Sequence, residues 1–169
     1  SDLLRGGATA KGYCRSNPGF HLTADSAAPL LMIGTGTGIA PLMGLIQEQT
    51  HAGTPREVHL VFGEKHRAQD FLYQPQLQSW QEQGWITRLH TAFSRDGSDK
   101  YYVQHALAEQ AGSVIDLIAR GAHLYLCGNK RHLDGALQQT INQLGADAFD
   151  QPDTWSLLRE QGRLHCELY

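Results

Sequence analysis

The stretch of this 169-residue chain whose residue types point most directly to chemistry is Gly34-Thr35-Gly36-Thr37-Gly38-Ile39-Ala40-Pro41. Glycines let a backbone turn tightly and approach a phosphate. A helix starting behind them offers free N–H groups and the positive end of its dipole to an anion. A bare strand-to-helix turn needs fewer glycines and no threonines, so three Gly and two Thr favour a ligand. A P-loop, GxxxxGK followed by Ser or Thr, would need Gly at position 39 and Lys next. Position 39 is Ile, and no Lys follows. The GxGxxG dinucleotide fingerprint fails at the same Ile39. The spacing present, GxGxG, also occurs in methyltransferases that bind S-adenosylmethionine. Those usually carry an acid two places before the first glycine, where this chain has Met32, although Glu64 remains available for a ribose.

A second set follows some fifty residues on, with Ser94, Arg95, Lys100 and Tyr102 within nine positions. A hydroxyl, a guanidinium, an ammonium and a phenol together suit a monophosphate on an adenosine ribose. Arg grips it bidentately, Lys adds a point charge and Tyr stacks on the base. The plainer alternative is a solvated loop, because Asp96 and Asp99 lie between the cations.

The elements that must carry these groups alternate. Apolar or alternating runs at Pro29–Gly34, Glu57–Gly63, Trp85–Phe93, Ala122–Cys127 and Arg163–Tyr169 predict five strands. Helical spacing covers Ile39–Gln49, Gln74–Glu82, Val103–Ala119 with a break near 111–113, Lys130–Leu144 and Thr154–Gln161. Such alternation predicts an α/β fold, an open, mostly parallel five-stranded Rossmann-like sheet with helices on both faces. Both residue sets would then lie at the carboxyl ends of strands, where open sheets bind ligands. Residues 1–28 lack this pattern; Gly12–Arg15 and Phe20–Thr23 read as short extended pieces around an Asn17-Pro18-Gly19 turn.

Composition narrows the classes. Hydrophobic residues are 41% and charged residues 18%, too apolar for a disordered chain. A net charge of -3 argues against nucleic acid as partner. No apolar run is long enough for a membrane segment. Three cysteines without CxxC argue against a disulfide framework and for a reducing, cytoplasmic setting. The nine His show no HxH or HExxH spacing, so no metal is expected. Cys14 and Cys166 read as packing residues, as do Trp80, Trp85 and Trp155.

Taken together, GTGTGIAP (34–41), FGEKHRAQDFLYQPQL (62–77), AFSRDGSDKYYVQH (92–105), HLYLCGN (123–129) and GRLHCELY (162–169) resemble the NADP(H)-binding domain of the ferredoxin–NADP reductase superfamily. Within it the closest group is the diflavin reductases, such as the sulfite reductase flavoprotein subunit. The resemblance covers nearly all of residues 29–169, in family order. It implies that Gly34, Thr35, Gly36, Thr37 and Gly38 meet the pyrophosphate, and that Ser94, Arg95 and Lys100 hold the 2′-phosphate. Tyr102 would stack on adenine, with Gln104 hydrogen-bonding nearby. Gly128 and Asn129 would complete the cofactor site. Cys127 would sit beside nicotinamide C4, Glu167 near the hydride path, and Tyr169 on the flavin ring. Each of the last three has a bland alternative: a buried small hydrophobe, an outward strand residue and a frayed terminus.

The resemblance also implies partners. NADPH would give a hydride to FAD, and electrons would pass to an acceptor whose identity the residues do not reveal. FMN in a further upstream domain and a membrane anchor on the parent protein are compatible with it. Residues 1–28 would be the end of a preceding FAD-binding domain and 29–169 the NADP(H)-binding domain. The Arg-x-Tyr-Ser stretch with which the family binds FAD is absent, so the chain reads as the nucleotide half of a reductase. Asn129 and Glu167 stand where many relatives have Asp. A non-catalytic nucleotide-sensing module is the remaining alternative to a reductase and to a methyltransferase.

Overall fold

The computed structural model describes residues 17–169, together with Thr9 and Gly12, except for the side chains of Arg131, His132 and Asp134. Leu30–Thr35 forms β1, and its first five residues are buried. That burial explains the unbroken apolar run: β1 pairs on both edges and is covered on both faces. The other strands are β2 (Val58–Glu64), β3 (Arg88–Phe93), β4 (His123–Gly128) and β5 (Leu164–Leu168), in the spatial order β3-β2-β1-β4-β5. All four pairings are parallel. The α/β sheet expected from the sequence is therefore present.

The two-residue period of a strand divides the core. Leu30, Met32, Leu60, Phe62, Tyr125 and Cys127 face one layer, with Leu42 and Ile46 of α1 (Ile39–Ala52). Leu77 and Trp80 of the Gln74–Glu82 helix complete that layer. Leu31, Ile33, Val61, Leu124 and Leu126 face the other layer, built from the Val103–Glu109, Ala111–Ala119 and Lys130–Phe149 helices. In chain order these are α2 (Arg67–Asp70), α3 (Gln74–Glu82), α4 (Val103–Glu109), α5 (Ala111–Ala119), α6 (Lys130–Phe149) and α7 (Thr154–Glu160).

Differences from the expected boundaries have local causes. Helix α1 runs to Ala52 because nothing stops it before Gly53, which turns left-handed at φ 66°. Helix α6 continues past Gly145, a packing position: a Cβ there would come within 1.7 Å of Thr154 Oγ1. Strand β3 starts at Arg88, not Trp85, because the Trp85 and Ile86 N–H groups bond back to the Trp80 carbonyl at 2.8 and 3.2 Å. The helix break falls at Gln110. Phe20–Thr23 forms no strand; the Thr23 N–H is taken by the Tyr125 hydroxyl at 2.9 Å. The extended piece expected at Gly12–Arg15, and Cys14, lie outside the described residues apart from Gly12. The four-residue α2 had no sequence signal.

Candidate functional site

In an all-parallel sheet every strand delivers its carboxyl end to the same side. Here the chain runs outward from β1 through β2 to β3, then returns to place β4 on the other edge of β1. Strand order reverses beside β1, and a crevice opens there. The glycine loop lies at that point. Gly36 takes φ 57°, a left-handed turn that L side chains resist, and opens a single 3-10 turn through Gly38. Gly38 then lies against the end of β4, where a Cβ would meet the Cys127 carbonyl oxygen at 2.2 Å. One glycine thus turns the loop and another lets it press on the sheet. Gly34 and Gly128 lie behind the loop, against Leu42 and Thr35 respectively.

Beside the loop is a cavity of about 380 Å³. Thr35, Gly36 and Thr37 form one wall. Gly63, Glu64 and Lys65 at the end of β2, with Ala92, Ser94 and Arg95 after β3, form another. Lys100, Tyr102, Val103 and Gln104 at the entrance to α4 close the far side, and Asn129 and Tyr169 the near side. Its size falls in the range of small-molecule sites. Helix α4 reaches the cavity because Gly63 leaves room for Val103; a Cβ on Gly63 would meet Val103 Cγ1 at 2.6 Å.

The charges are unbalanced. Lys65, Arg95 and Lys100 line the cavity with a single acid, Glu64. Glu64 Oε2 accepts the Lys65 backbone N–H at 2.6 Å. Among the described residues none of the three cations is in an ion pair. The acid next to Arg95 is spent elsewhere: both oxygens of Asp96 accept the Arg67 N–H, at 3.1 and 3.2 Å. The Arg67 guanidinium lies 4.6 Å from the centre of the Phe93 ring and donates to Thr91 Oγ1 at 2.9 Å. Helix α2 therefore clasps the loop after β3. Backbone bonds from Ser94 to Glu64 (2.8 Å) and from Arg95 to Lys65 (2.9 Å) hold the two strand ends together. Gln104 contributes a buried Oε1 without a partner among the described residues, an acceptor open to a ligand donor.

Ten of the fifteen residues singled out in the sequence line this cavity: Thr35, Gly36, Thr37, Ser94, Arg95, Lys100, Tyr102, Gln104, Asn129 and Tyr169. Lys65 and Gly63 were missed. Lys65 stood in a quoted motif, but only the β2–β3 pairing sets it beside Arg95. Cys127 and Glu167 are outside the cavity wall. Cys127 is fully buried on the α1 side, in register with Glu167 on β5. Burial, aided by the charge of Glu167, pushes its thiol up to about 11. At neutral pH it is a protonated thiol, not a nucleophile. Tyr169 is 60% exposed, and its hydroxyl shares a 2.5 Å hydrogen bond with Thr37 Oγ1. Its backbone is fixed by a bond to the Gly128 carbonyl (3.1 Å) and one from the Lys130 N–H (3.0 Å).

The model of one protein family, the oxidoreductase NAD-binding domain, matches residues 32–138. The chain belongs to that family. NAD-binding-domain membership agrees with a crevice at the strand-order reversal, and it favours a reductase over the methyltransferase reading of the GxGxG spacing. Relatives agree with it. The chain is 39% identical over 171 residues to the sulfite reductase [NADPH] flavoprotein alpha-component of Vibrio cholerae, covering 98% of this chain and 28% of the relative. It is 37% identical over 162 residues to NADPH oxidoreductase A of Dictyostelium discoideum, covering 95% and 26%. The Bacillus subtilis sulfite reductase flavoprotein alpha-component is 34% identical over 144 residues, covering 85% and 24%. The chain thus spans about a quarter of the length of these relatives.

Proposed function

We propose that this domain binds NADP(H) and presents it to a flavin carried elsewhere in a larger reductase. The observation that carries the reading is the grouping of Ser94, Arg95, Lys100 and Lys65 around one cavity, its cations in no ion pair among the described residues. Three cations facing one acid suit a ligand with more than one phosphate, and they favour the cofactor that bears a 2′-phosphate. The open Gln104 acceptor and the Gly36 turn fit the same ligand.

When bound, NADPH supplies the hydride, and FAD in the parent protein takes it. The chain's own residues bind and orient. Arg95 and Lys100, with the Ser94 hydroxyl, hold the 2′-phosphate, and Lys65 adds charge between it and the pyrophosphate. Thr37 and the loop glycines hold the pyrophosphate. Tyr102, 37% exposed, offers its ring to adenine. Cys127, Glu167 and Tyr169 shape the nicotinamide end, with the buried, protonated Cys127 thiol keeping the end of β4 uncharged behind it. Gly128 and Asn129 connect that end to the pyrophosphate loop.

No described helix is long and apolar enough to cross a membrane. Cytoplasmic location, a flavin domain preceding residue 29 and an electron acceptor beyond the flavin belong to the same proposal. The test is calorimetric titration with 2′,5′-ADP, NADP⁺ and NAD⁺. The expected result is that 2′,5′-ADP binds and NAD⁺ binds at least about tenfold more weakly than NADP⁺, which is about 1.4 kcal/mol. Equal affinity for NAD⁺ and NADP⁺ would remove the 2′-phosphate assignment. Binding of S-adenosylmethionine alone would overturn the reading.

A further inference from the structure

Asn17 makes two side-chain hydrogen bonds. Its Oδ1 accepts the Gly19 N–H at 3.2 Å, which sets the direction of the amide. Its Nδ2 then donates to Glu167 Oε2, across 150 positions of sequence. The turn that carries Asn17 is firmly seated. The Phe20 N–H closes it on the Asn17 carbonyl at 3.1 Å, and the Phe20 ring packs edge-on against Tyr125 at 5.6 Å. The Tyr125 hydroxyl donates to the His21 carbonyl at 3.0 Å and accepts from the Thr23 N–H at 2.9 Å. Tyr125 is itself fully buried.

Glu167 needs such a partner. It lies on edge strand β5 and is exposed, so its carboxylate has solvent on one side and several rotamers open to it. It is in register with Cys127, and the strand period puts both side chains on the face that holds Tyr125 and His165. We propose that Asn17 is a positioning residue that holds the Glu167 carboxylate beside Cys127. The inference rests on the reading that Glu167 borders the hydride path.

One substitution separates this role from a purely local one. In N17D the new carboxylate still accepts from the Gly19 N–H, so the turn is kept, but it faces Glu167 with like charge. In the parent flavoprotein, N17D is expected to slow flavin reduction by NADPH about fivefold, the net scale of one ordinary hydrogen bond. KM for NADPH should not change. The slowing should vanish in an E167Q background. The second readout needs no flavin. The thermal midpoint of this chain should fall in N17D and recover in N17D/E167Q, where the Gln amide can donate to the new carboxylate. Equal slowing by N17D in both backgrounds would overturn the proposal, as would N17D behaving like the parent. If E167Q alone leaves flavin reduction unchanged, Glu167 is off the hydride path and the positioning role falls with it. Affinity for 2′,5′-ADP should be the same in all these variants; its absence in the parent would be a failure of NADP(H) binding, not of Asn17.

Discussion

The hydroxyls of Thr37 and Tyr169 share a hydrogen bond of 2.5 Å, joining the middle of the glycine loop to a residue 132 positions later. The bond spans the near side of the cavity. It uses the same Thr37 oxygen that the proposed pyrophosphate site needs. With Thr37 as the donor, cofactor binding and the Tyr169 contact compete for its one O–H.

Removing that competition should strengthen binding. Y169F frees Thr37 Oγ1 and is expected to tighten NADP⁺ binding about fivefold, one hydrogen bond of roughly 1 kcal/mol. T37A should weaken it by a similar factor. Affinity for 2′,5′-ADP should respond less to Y169F, because that ligand lacks the second half of the cofactor. Calorimetry on both variants decides, and an unchanged NADP⁺ affinity in Y169F would show that the contact yields at no cost.

The cation assignment separates by ligand. R95A and K100A should each weaken NADP⁺ by about tenfold or more and leave NAD⁺ nearly unchanged, since hydrogen bonds to charged groups are each worth roughly 1.5–3 kcal/mol. R67A leaves Arg95 in place but removes the stacking on Phe93 and the bond to Thr91. A smaller, several-fold loss for NADP⁺ is expected there, with a lower thermal midpoint. Titrations at two salt concentrations check the charge origin, because screening weakens exposed ion contacts.

Alkaline stability should report Cys127. Burial pushes its thiol from an ordinary value of 9.0 up to about 11. A raised folded value means the unfolded chain ionises first. Stability is whole below about pH 9 and is lost as the pH rises towards 11. The loss is of order 2–3 kcal/mol at most. Chemical unfolding at several pH values should show this slope in the parent and a flatter one in C127A. A parallel slope in C127A would place the effect elsewhere.

At acid pH the sign reverses. His123 Nδ1 and His165 Nε2 lie 3.0 Å apart on adjacent strands, so one ring donates and the other accepts, and both cannot be protonated together. Burial holds each imidazole below its usual value, and for His123 the neighbouring His165 adds to it. Folded values depressed below that of the free side chain make the unfolded state bind more protons. Stability is then present above about pH 6.5 and lost as the pH falls below it. H165Q should reduce that acid sensitivity in the same unfolding series, leaving the contributions of buried His59 and half-buried His90.

Glycine substitutions should divide by space. G38A would put a Cβ 2.2 Å from the Cys127 carbonyl oxygen, a backbone atom that cannot step aside. A cost of about 3 kcal/mol, the upper part of the range for overpacking, is expected. G44A, within α1 and with nothing inside 4 Å, should stabilise by roughly 0.5–1 kcal/mol. Thermal melts of the two variants should move in opposite directions.

The strands and helices were legible in the sequence because their signals are local. PLLMIG is apolar throughout, since β1 is covered on both faces; Gln74–Glu82 shows its helix without reference to anything distant. Gly34 to Pro41 and Ser94 to Lys100 were legible for the same reason, as residue types clustered within a few positions. Other features depend on which strands become neighbours. Lys65 meets Arg95 because β2 pairs with β3, and Glu167 meets Cys127 because β5 pairs with β4. Helix α2 could not be anticipated, because its four residues bury no side chain and it is held by Arg67 on Asp96 and Phe93. The Asn17–Glu167 and Thr37–Tyr169 contacts bridge more than a hundred residues each, and no periodicity encodes a meeting at that range. Side-chain period and turn chemistry are properties of short segments and are written in the sequence. Sheet order, register and the buried place of Cys127 come from packing the segments together, and only the tertiary structure decided them.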